Sequence, residues 1–335
     1  MNDVSAPRGR LFAFDSLRVL AVGLLLFHHS NLYDHPILGL SLQPLETYVG
    51  VFLNGAFFFT AGYFVLGSLK HRTLPAFYWS KVVRIVPPYW LGLLLFIYVV
   101  GITLRKRDVL IYALGLQTIF SPAVAKPVLT LWFVGVIILY YAGFAMILRS
   151  TRTGFQRLLG VVLFFALPYL IHLFTDFIDD RFFLYFFVFV AGLFVADSRQ
   201  LADFLLSRKW IGVRLLAALV GWFLFYEAST NGFRSLFYMA CADSFILTWI
   251  ALVLALFFSE RQKPLHPLWS AVAYASFFVY LFHRPVWQIL VDLFDVPFGS
   301  LADALWKFLP GSLLTLFLSY YLQKGYDWLV AKLKW

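Results

Sequence analysis

Three side chains near the start of the chain are of types that do acid–base chemistry, and their spacing is helical. Asp15, Arg18 and His29 stand three and eleven residues apart in an apolar stretch. At 100° per residue Arg18 and His29 differ by about 20° once whole turns are removed, and Asp15 lies roughly 60° from Arg18 on the other side. The three therefore share one stripe of a helix, whereas His28 is about 80° off Arg18. A neutral imidazole in a low-dielectric site is suited to take a proton from a hydroxyl, which makes His29 the candidate general base. Two plainer roles fit the same pattern: an ion pair between Asp15 and Arg18, and a His29 that only reaches for the interface.

A second stripe lies near the other end. Ser276, Tyr280, His283 and Trp287 recur at spacings of four, three and four residues, with Arg284 beside them. This helix must face protein or water along that side. His283 is either a hydrogen-bonded core residue or a direct participant, and Arg284 is expected to pair with an acid rather than touch substrate. A third group is basic: Lys70, His71, Arg72, Lys81 and Arg84, followed by Pro87-Pro88. Positive charge on the inner side of a membrane accounts for Lys70 and Arg72, while Arg84 sits where a guanidinium could grip a phosphate. Pro87-Pro88 is expected at the entrance of a span. Asn54, Gly55 and Gly62 read as close helix packing, and Trp132 as an interfacial anchor or a support for substrate.

The elements that position these residues follow from composition. The chain has 335 residues, of which 62% are hydrophobic and 13% charged, with a mean hydropathy of +0.82. A soluble globular enzyme, a disordered chain, a collagen and a disulfide scaffold are excluded. The single cysteine, Cys241, can form neither an internal disulfide nor a zinc site and reads as a buried small hydrophobe, and no metal is expected. At about 20 residues per span, apolar windows fall at 11–30, 47–67, 85–104, 129–148, 158–175, 182–196, 211–228, 237–258, 268–291 and 304–329. The expectation is an all-α integral membrane protein with about ten transmembrane helices. The stretch near 109–120 is too short to cross and is assigned as a re-entrant or interfacial helix.

With the amino terminus inside, most of the 27 Lys and Arg fall in inner segments and most acids in outer ones, so both termini are expected to be cytoplasmic. The net charge of +10 thus reflects topology rather than nucleic-acid binding. No Walker loop, dinucleotide fingerprint, HExxH or GxSxG occurs. No linker or long soluble insertion is evident, so 1–335 reads as a single membrane domain without an appended soluble domain.

Five segments, in order, resemble the membrane-bound acyltransferase 3 family: FDSLRVLAVGLLLFHHS at 14–30, NGAFFFTAGYFV at 54–65, YWSKVVRIVPPYW at 78–90, LWFVGVIILYY at 131–141 and ASFFVYLFHRPVWQI at 275–289. The resemblance covers nearly the whole chain. It departs from the family at Lys81, where an R-x-x-R pair would have its first Arg, and at Ile137, where many members carry Glu. It implies an O-acyltransferase, transferring groups other than aminoacyl, that moves an acyl group, expected to be acetyl, from cytoplasmic acyl-CoA to a hydroxyl of an extracytoplasmic or lipid-linked glycan. It assigns His29, with Asp15 and Arg18, to catalysis. Lys81 and Arg84 fall to the donor, with the pantetheine arm rising between helices, and Tyr280, His283, Arg284 and Trp132 to substrate or support. Acyl-CoA is then a substrate and no cofactor is held permanently. The bacterial inner membrane is the expected location. The competing class is a polysaccharide exporter whose polar stripe lines a path and makes no bond.

Overall fold

The computed structural model describes residues 8–36, 39–128, 130–231, 236–257 and 266–333, and among them the chain is helical without a β-strand. The helices, in order, are α1 (Arg8–His29), α2 (Glu46–Lys70), α3 (Leu74–Tyr98), α4 (Lys106–Ala113), α5 (Gln117–Phe120), α6 (Trp132–Ser150), α7 (Gly154–Phe174), α8 (Asp180–Leu184) and α9 (Phe186–Asp197). They continue with α10 (Arg199–Leu206), α11 (Ile211–Thr230), α12 (Leu236–Phe257), α13 (His266–Leu293), α14 (Leu301–Trp306) and α15 (Ser312–Lys332). Eight stretches among the described residues are long and apolar enough to cross a membrane, or nine if the α8–α9 stretch and α10, bent by 106°, count as one. Helix α13 has the length, 28 residues, but its stripe of Tyr280, His283, Arg284 and Gln288 dilutes its apolarity. Helices α4 and α5, of 8 and 4 residues, occupy the stretch expected not to cross. No side chain of α7 is buried, as expected of a helix whose solvent is lipid.

The span expected at 85–104 begins earlier. Helix α3 starts at Leu74, with Pro75 in its first turn, and runs through Pro87 and Pro88. The two prolines therefore lie inside a helix rather than at an entrance, and Lys81 and Arg84 are helical residues rather than loop residues. Pro87 has no N–H to offer the carbonyl of Val83 four residues back. The Tyr326 hydroxyl donates to that carbonyl instead, which is how a helix in an apolar medium keeps a freed backbone group satisfied.

The chain divides into two compact units, Met1–Tyr63 with Val188–Lys324, and Phe64–Phe187 with Gly325–Trp335. In the first, α1 packs on α13 and α12, and α11 on α12. Helices α2 and α9 approach so closely that a Cβ on Gly62 would lie 2.2 Å from the Phe189 carbonyl oxygen, and one on Gly192 2.1 Å from that of Phe59. A Cβ on Gly55 would meet Ile246 of α12 at 2.4 Å. Small residues at these crossings permit the backbone contact, as anticipated for Gly55 and Gly62. Asn54 turns back to donate to Gly50 on its own helix at 2.8 Å. Cys241 is buried in α12. In the second unit α6 packs against α3 and α7, around rings that include Tyr140, Phe144, Phe164, Phe182 and Phe186.

Candidate active site

Helix α1 ends in two histidines. Asn31, in the left-handed region at φ 61°, stops the helix, which an Asn tolerates better than most side chains. The chain then turns through a short 3-10 segment, Leu32–Asp34, so the last side chains of α1 stand clear of a following turn. Helix α13 packs along α1 and brings His283, fully buried, against His29.

The two imidazoles are hydrogen-bonded, His29 Nδ1 to His283 Nε2 at 2.8 Å. Their planes are parallel within 6° and their centroids 4.9 Å apart, so the contact runs edge to edge in the ring plane, where the lone pair lies. The partners fix the tautomers. His283 Nδ1 faces two carbonyl oxygens, Val279 at 3.0 Å and Tyr280 at 2.9 Å, and a carbonyl only accepts. In the neutral pair His283 thus carries its proton on Nδ1 and accepts at Nε2, so His29 donates from Nδ1. The remaining nitrogen, His29 Nε2, is left with a lone pair on a half-buried ring. A base whose other nitrogen is held by a second group is the arrangement that general-base catalysis requires.

Other side chains hold this pair. Trp287 meets the His283 ring edge-on at 5.2 Å, and Gly311 gives it room, since a Cβ there would lie 2.7 Å from the indole. Gly311 closes a π-helical turn, Lys307–Gly311. Tyr280 contributes its carbonyl to His283 and sets its buried ring against Phe57.

His28, set aside by the helical wheel, belongs to the same compartment. Its ring lies 5.1 Å from that of His29 and 5.8 Å from that of Tyr33, over Gly50 of α2, where a Cβ would come within 3.1 Å. Burial first, then the charges of Glu46 and Asp34, push the pKa of Tyr33 up to about 12. Tyr33 therefore stays a donor. Neither Tyr33 nor Glu46 carried a sequence signal, because each lies outside the periodic stretches.

Arg284 corrects an expectation. No carboxylate among the described residues pairs with it; its electrostatic neighbours are His28, His29, His283, Tyr280 and Tyr33. The reason is local: the elements packed around this turn of α13 offer imidazoles and phenols where an acid was expected. Asp15 and Arg18 do pair, at 3.8 Å. They lie about 21 and 16 Å along α1 from His29 at 1.5 Å per residue, so the structure does not bring them to the imidazole pair.

The basic residues belong to the second unit. Lys81 is half-buried, its ammonium 4.4 Å from the Tyr141 ring centre and 5.2 Å from that of Phe77. It lines an apolar cavity of about 320 Å³ with Tyr78, Tyr89, Ile138 and Tyr141. Arg84 is exposed on α3 and outside that lining. Trp132 is engaged by protein, with the Arg181 guanidinium 4.5 Å from its ring and Tyr185 stacked at 5.9 Å. Ile137 is buried in α6.

Compared with known proteins, residues 11–324 match the family model described as an acyltransferase domain. No curated protein matches the chain, and no solved structure does.

Proposed function

The chain belongs to the acyltransferase 3 family of membrane acyltransferases, and from that premise we propose that it moves an acyl group, acetyl in the simplest case, from acyl-CoA to a glycan hydroxyl with His29 as general base. One observation carries the reading: His29 donates from Nδ1 to His283, which leaves Nε2 to accept. The acceptor hydroxyl gives its proton to His29 Nε2 while its oxygen attacks the thioester carbonyl. When the tetrahedral intermediate collapses the carbon–sulfur bond breaks, and the thiolate leaves as CoA thiol with the proton held by His29. The products are an ester and free CoA, and the imidazole is neutral again. His283 is a positioning residue in this scheme. It fixes the tautomer and takes up part of the charge that His29 acquires. General-base assistance of this kind contributes roughly 10²–10⁴-fold.

For the donor's phosphates the proposed contacts are Lys81 and Arg84, on the strength of the family resemblance and of their unlike placement: a half-buried ammonium and an exposed guanidinium. We assign ten spans, both termini cytoplasmic and a bacterial inner membrane, which the excess of Lys and Arg in the inner segments supports. The acceptor is an extracytoplasmic or lipid-linked glycan in the same reading.

The test uses the full chain in detergent. Acetyl-CoA and CoA binding are measured by calorimetry on the wild type, Arg84→Ala and His29→Ala, with thiol release followed in parallel. The expected result is donor binding weakened by Arg84→Ala and unchanged in His29→Ala, with thiol release lost in the latter. A folded wild type that binds neither nucleotide, nor a longer acyl-CoA, overturns the reading in favour of an exporter.

A further inference from the structure

Between α14 and α15 the chain does not run on as a plain α-helix. Pro310 has no N–H to give the carbonyl of Trp306 four residues back, and in an α-helix its ring would clash with that carbonyl. The backbone widens here into the π turn Lys307–Gly311, which takes in an extra residue and lets the ring pass. Side chains hold the widened turn. The Ser312 hydroxyl donates to the Lys307 carbonyl at 3.1 Å and the Thr315 hydroxyl to that of Gly311 at 2.7 Å. The Lys307 ammonium donates to Asp303 at 2.7 Å, and Asp303 also accepts from the Gly299 N–H at 3.0 Å. The turn is a fixed shape, tied to α14 on one side and to α15 on the other.

That shape touches both helices that carry the imidazoles. On the α13 side Gly311 is buried against Trp287, where a Cβ would lie 2.7 Å from the indole Cδ1 and 2.9 Å from Nε1. Trp287 stands four residues after His283, so its ring leans back over the turn of α13 that holds the imidazole, and the two rings meet at 5.2 Å and 81°. On the α1 side Phe308 meets Phe27 edge-on at 5.9 Å, two residues before His29. The χ2 torsion of a histidine has no sharp preference of its own, so packing selects the plane in which His283 Nε2 meets His29 Nδ1. A bond of 2.8 Å between rings on two helices is easily spoiled: a change in spacing of about half an ångström, or a turn of one ring, takes it to the weak end of hydrogen-bond geometry.

We propose that the π turn positions the His29–His283 pair. Gly311 acts through Trp287 on the orientation of His283, and Phe308 acts through Phe27 on the end of α1 that carries His29. Both are positioning residues for the general base. The proposal rests on the acyltransferase reading for its effect on rate, but not for its effect on the hydrogen bond. It also gives Pro310 and Gly311, two residues that weaken a helix, a joint purpose: the first widens the turn and the second lets it close on the indole.

The experiment uses the full chain in detergent with isotopically labelled histidine. The wild type is compared with Gly311→Ala, Phe308→Leu and His283→Phe, and with each of the first two combined with His283→Phe. Gly62→Ala, which overpacks the α2–α9 crossing, is the control for destabilisation alone. Nitrogen NMR reads the His29 tautomer, its signals assigned by their loss in His29→Ala; thiol release at saturating donor gives kcat, and calorimetry gives donor affinity. Gly311→Ala should mix the tautomers of His29 and lower kcat by about tenfold or more, the factor that goes with a lost hydrogen bond to a charged group, with donor affinity unchanged. Phe308→Leu should move both readouts the same way by a smaller factor. In the His283→Phe background either change should slow the enzyme by no more than about twofold, because it acts through a bond already removed. Gly62→Ala should lower thermal unfolding and leave the spectrum and kcat as they are. Three results overturn the proposal: a folded Gly311→Ala with the wild-type histidine spectrum, a fall in kcat that adds in full to that of His283→Phe, or a loss that appears in donor affinity instead. Should Gly311→Ala not fold, Phe308→Leu is judged by the same three criteria. A wild type that releases no thiol removes the reaction, and the spectrum alone then decides: a tautomer unchanged in the folded variants refutes the positioning.

Discussion

Replacing His283 by Phe keeps a ring of similar size in a fully buried position and removes the acceptor of the His29 Nδ1–H bond. In the ground state the loss leaves one buried donor unsatisfied. In the transition state it is larger, because His29 is gaining a proton at Nε2 and the Nδ1–H becomes a charged donor. A hydrogen bond to a charged group is worth about 1.5–3 kcal/mol, which converts to a fall in kcat of about 10- to 150-fold at 1.36 kcal/mol per decade. Donor affinity should not change. His283→Gln supplies an amide oxygen at comparable reach and should recover a large part of the loss. The assay is thiol release under saturating donor, with donor affinity read separately by calorimetry and folding checked by size exclusion. A Phe variant within twofold of the wild type refutes the reasoning. So does a folded Gln variant no better than Phe, or a loss that appears in donor binding rather than in kcat.

Three further outcomes test the scaffold. Gly62→Ala forces a methyl to within 2.2 Å of the Phe189 carbonyl and should cost about 1–3 kcal/mol, as overpacking does, whereas Gly23→Ala, with nothing within 4 Å, should leave thermal unfolding unchanged. Tyr326→Phe removes the donor to Val83 and should cost about 1–3 kcal/mol; in a Pro87→Ala background, where residue 87 regains an N–H for that carbonyl, the cost should largely disappear, and an additive double mutant would contradict the assignment. The Asp108 carboxyl accepts from the Arg105 backbone and guanidinium, bonds that hold its pKa below the usual 3.8 against the opposing effect of burial. Because the folded value is the lower one, this contribution is complete above about pH 4 and is lost as pH falls through the folded pKa. Asp108→Asn should therefore lower thermal stability at pH 7 and narrow the gap to wild type below pH 4; a gap independent of pH would show that charge is not involved.

Much of the helical framework was legible because lipid imposes it: a stretch of some 20 apolar residues has few alternatives to a helix when no water can satisfy its backbone. Segments that depart from this rule were read less well. Helix α3 was placed too late because Pro87-Pro88 reads as a boundary, and nothing in the local sequence announces that Tyr326, far along the chain, satisfies the carbonyl that Pro87 releases. The window at 182–196 ended correctly before the 106° bend into α10, but it gave no sign that Arg199–Leu206, read as part of a basic loop, forms a helix of its own. That helix is capped by Ser198, which accepts from the Leu201 N–H, a cue too local for a hydropathy window to register.

At the site the limits were geometric. A helical wheel keeps the angle of each side chain about the axis and discards its height. Asp15, Arg18 and His29 share an angle, so they were grouped; only the height separates an ion pair near one end of α1 from the imidazole at the other. The same projection dismissed His28 at about 80° from Arg18, yet at the last turn of a helix a side chain is no longer confined by a following turn, and its ring reaches the compartment that His29 occupies. Arg284 was read by composition alone, on the premise that a buried cation has found an acid. The chain does hold acids close by in sequence, Asp292 and Asp295 among them, but α13 carries Asp292 two turns beyond Arg284, and the described neighbours of the guanidinium are imidazoles and phenols.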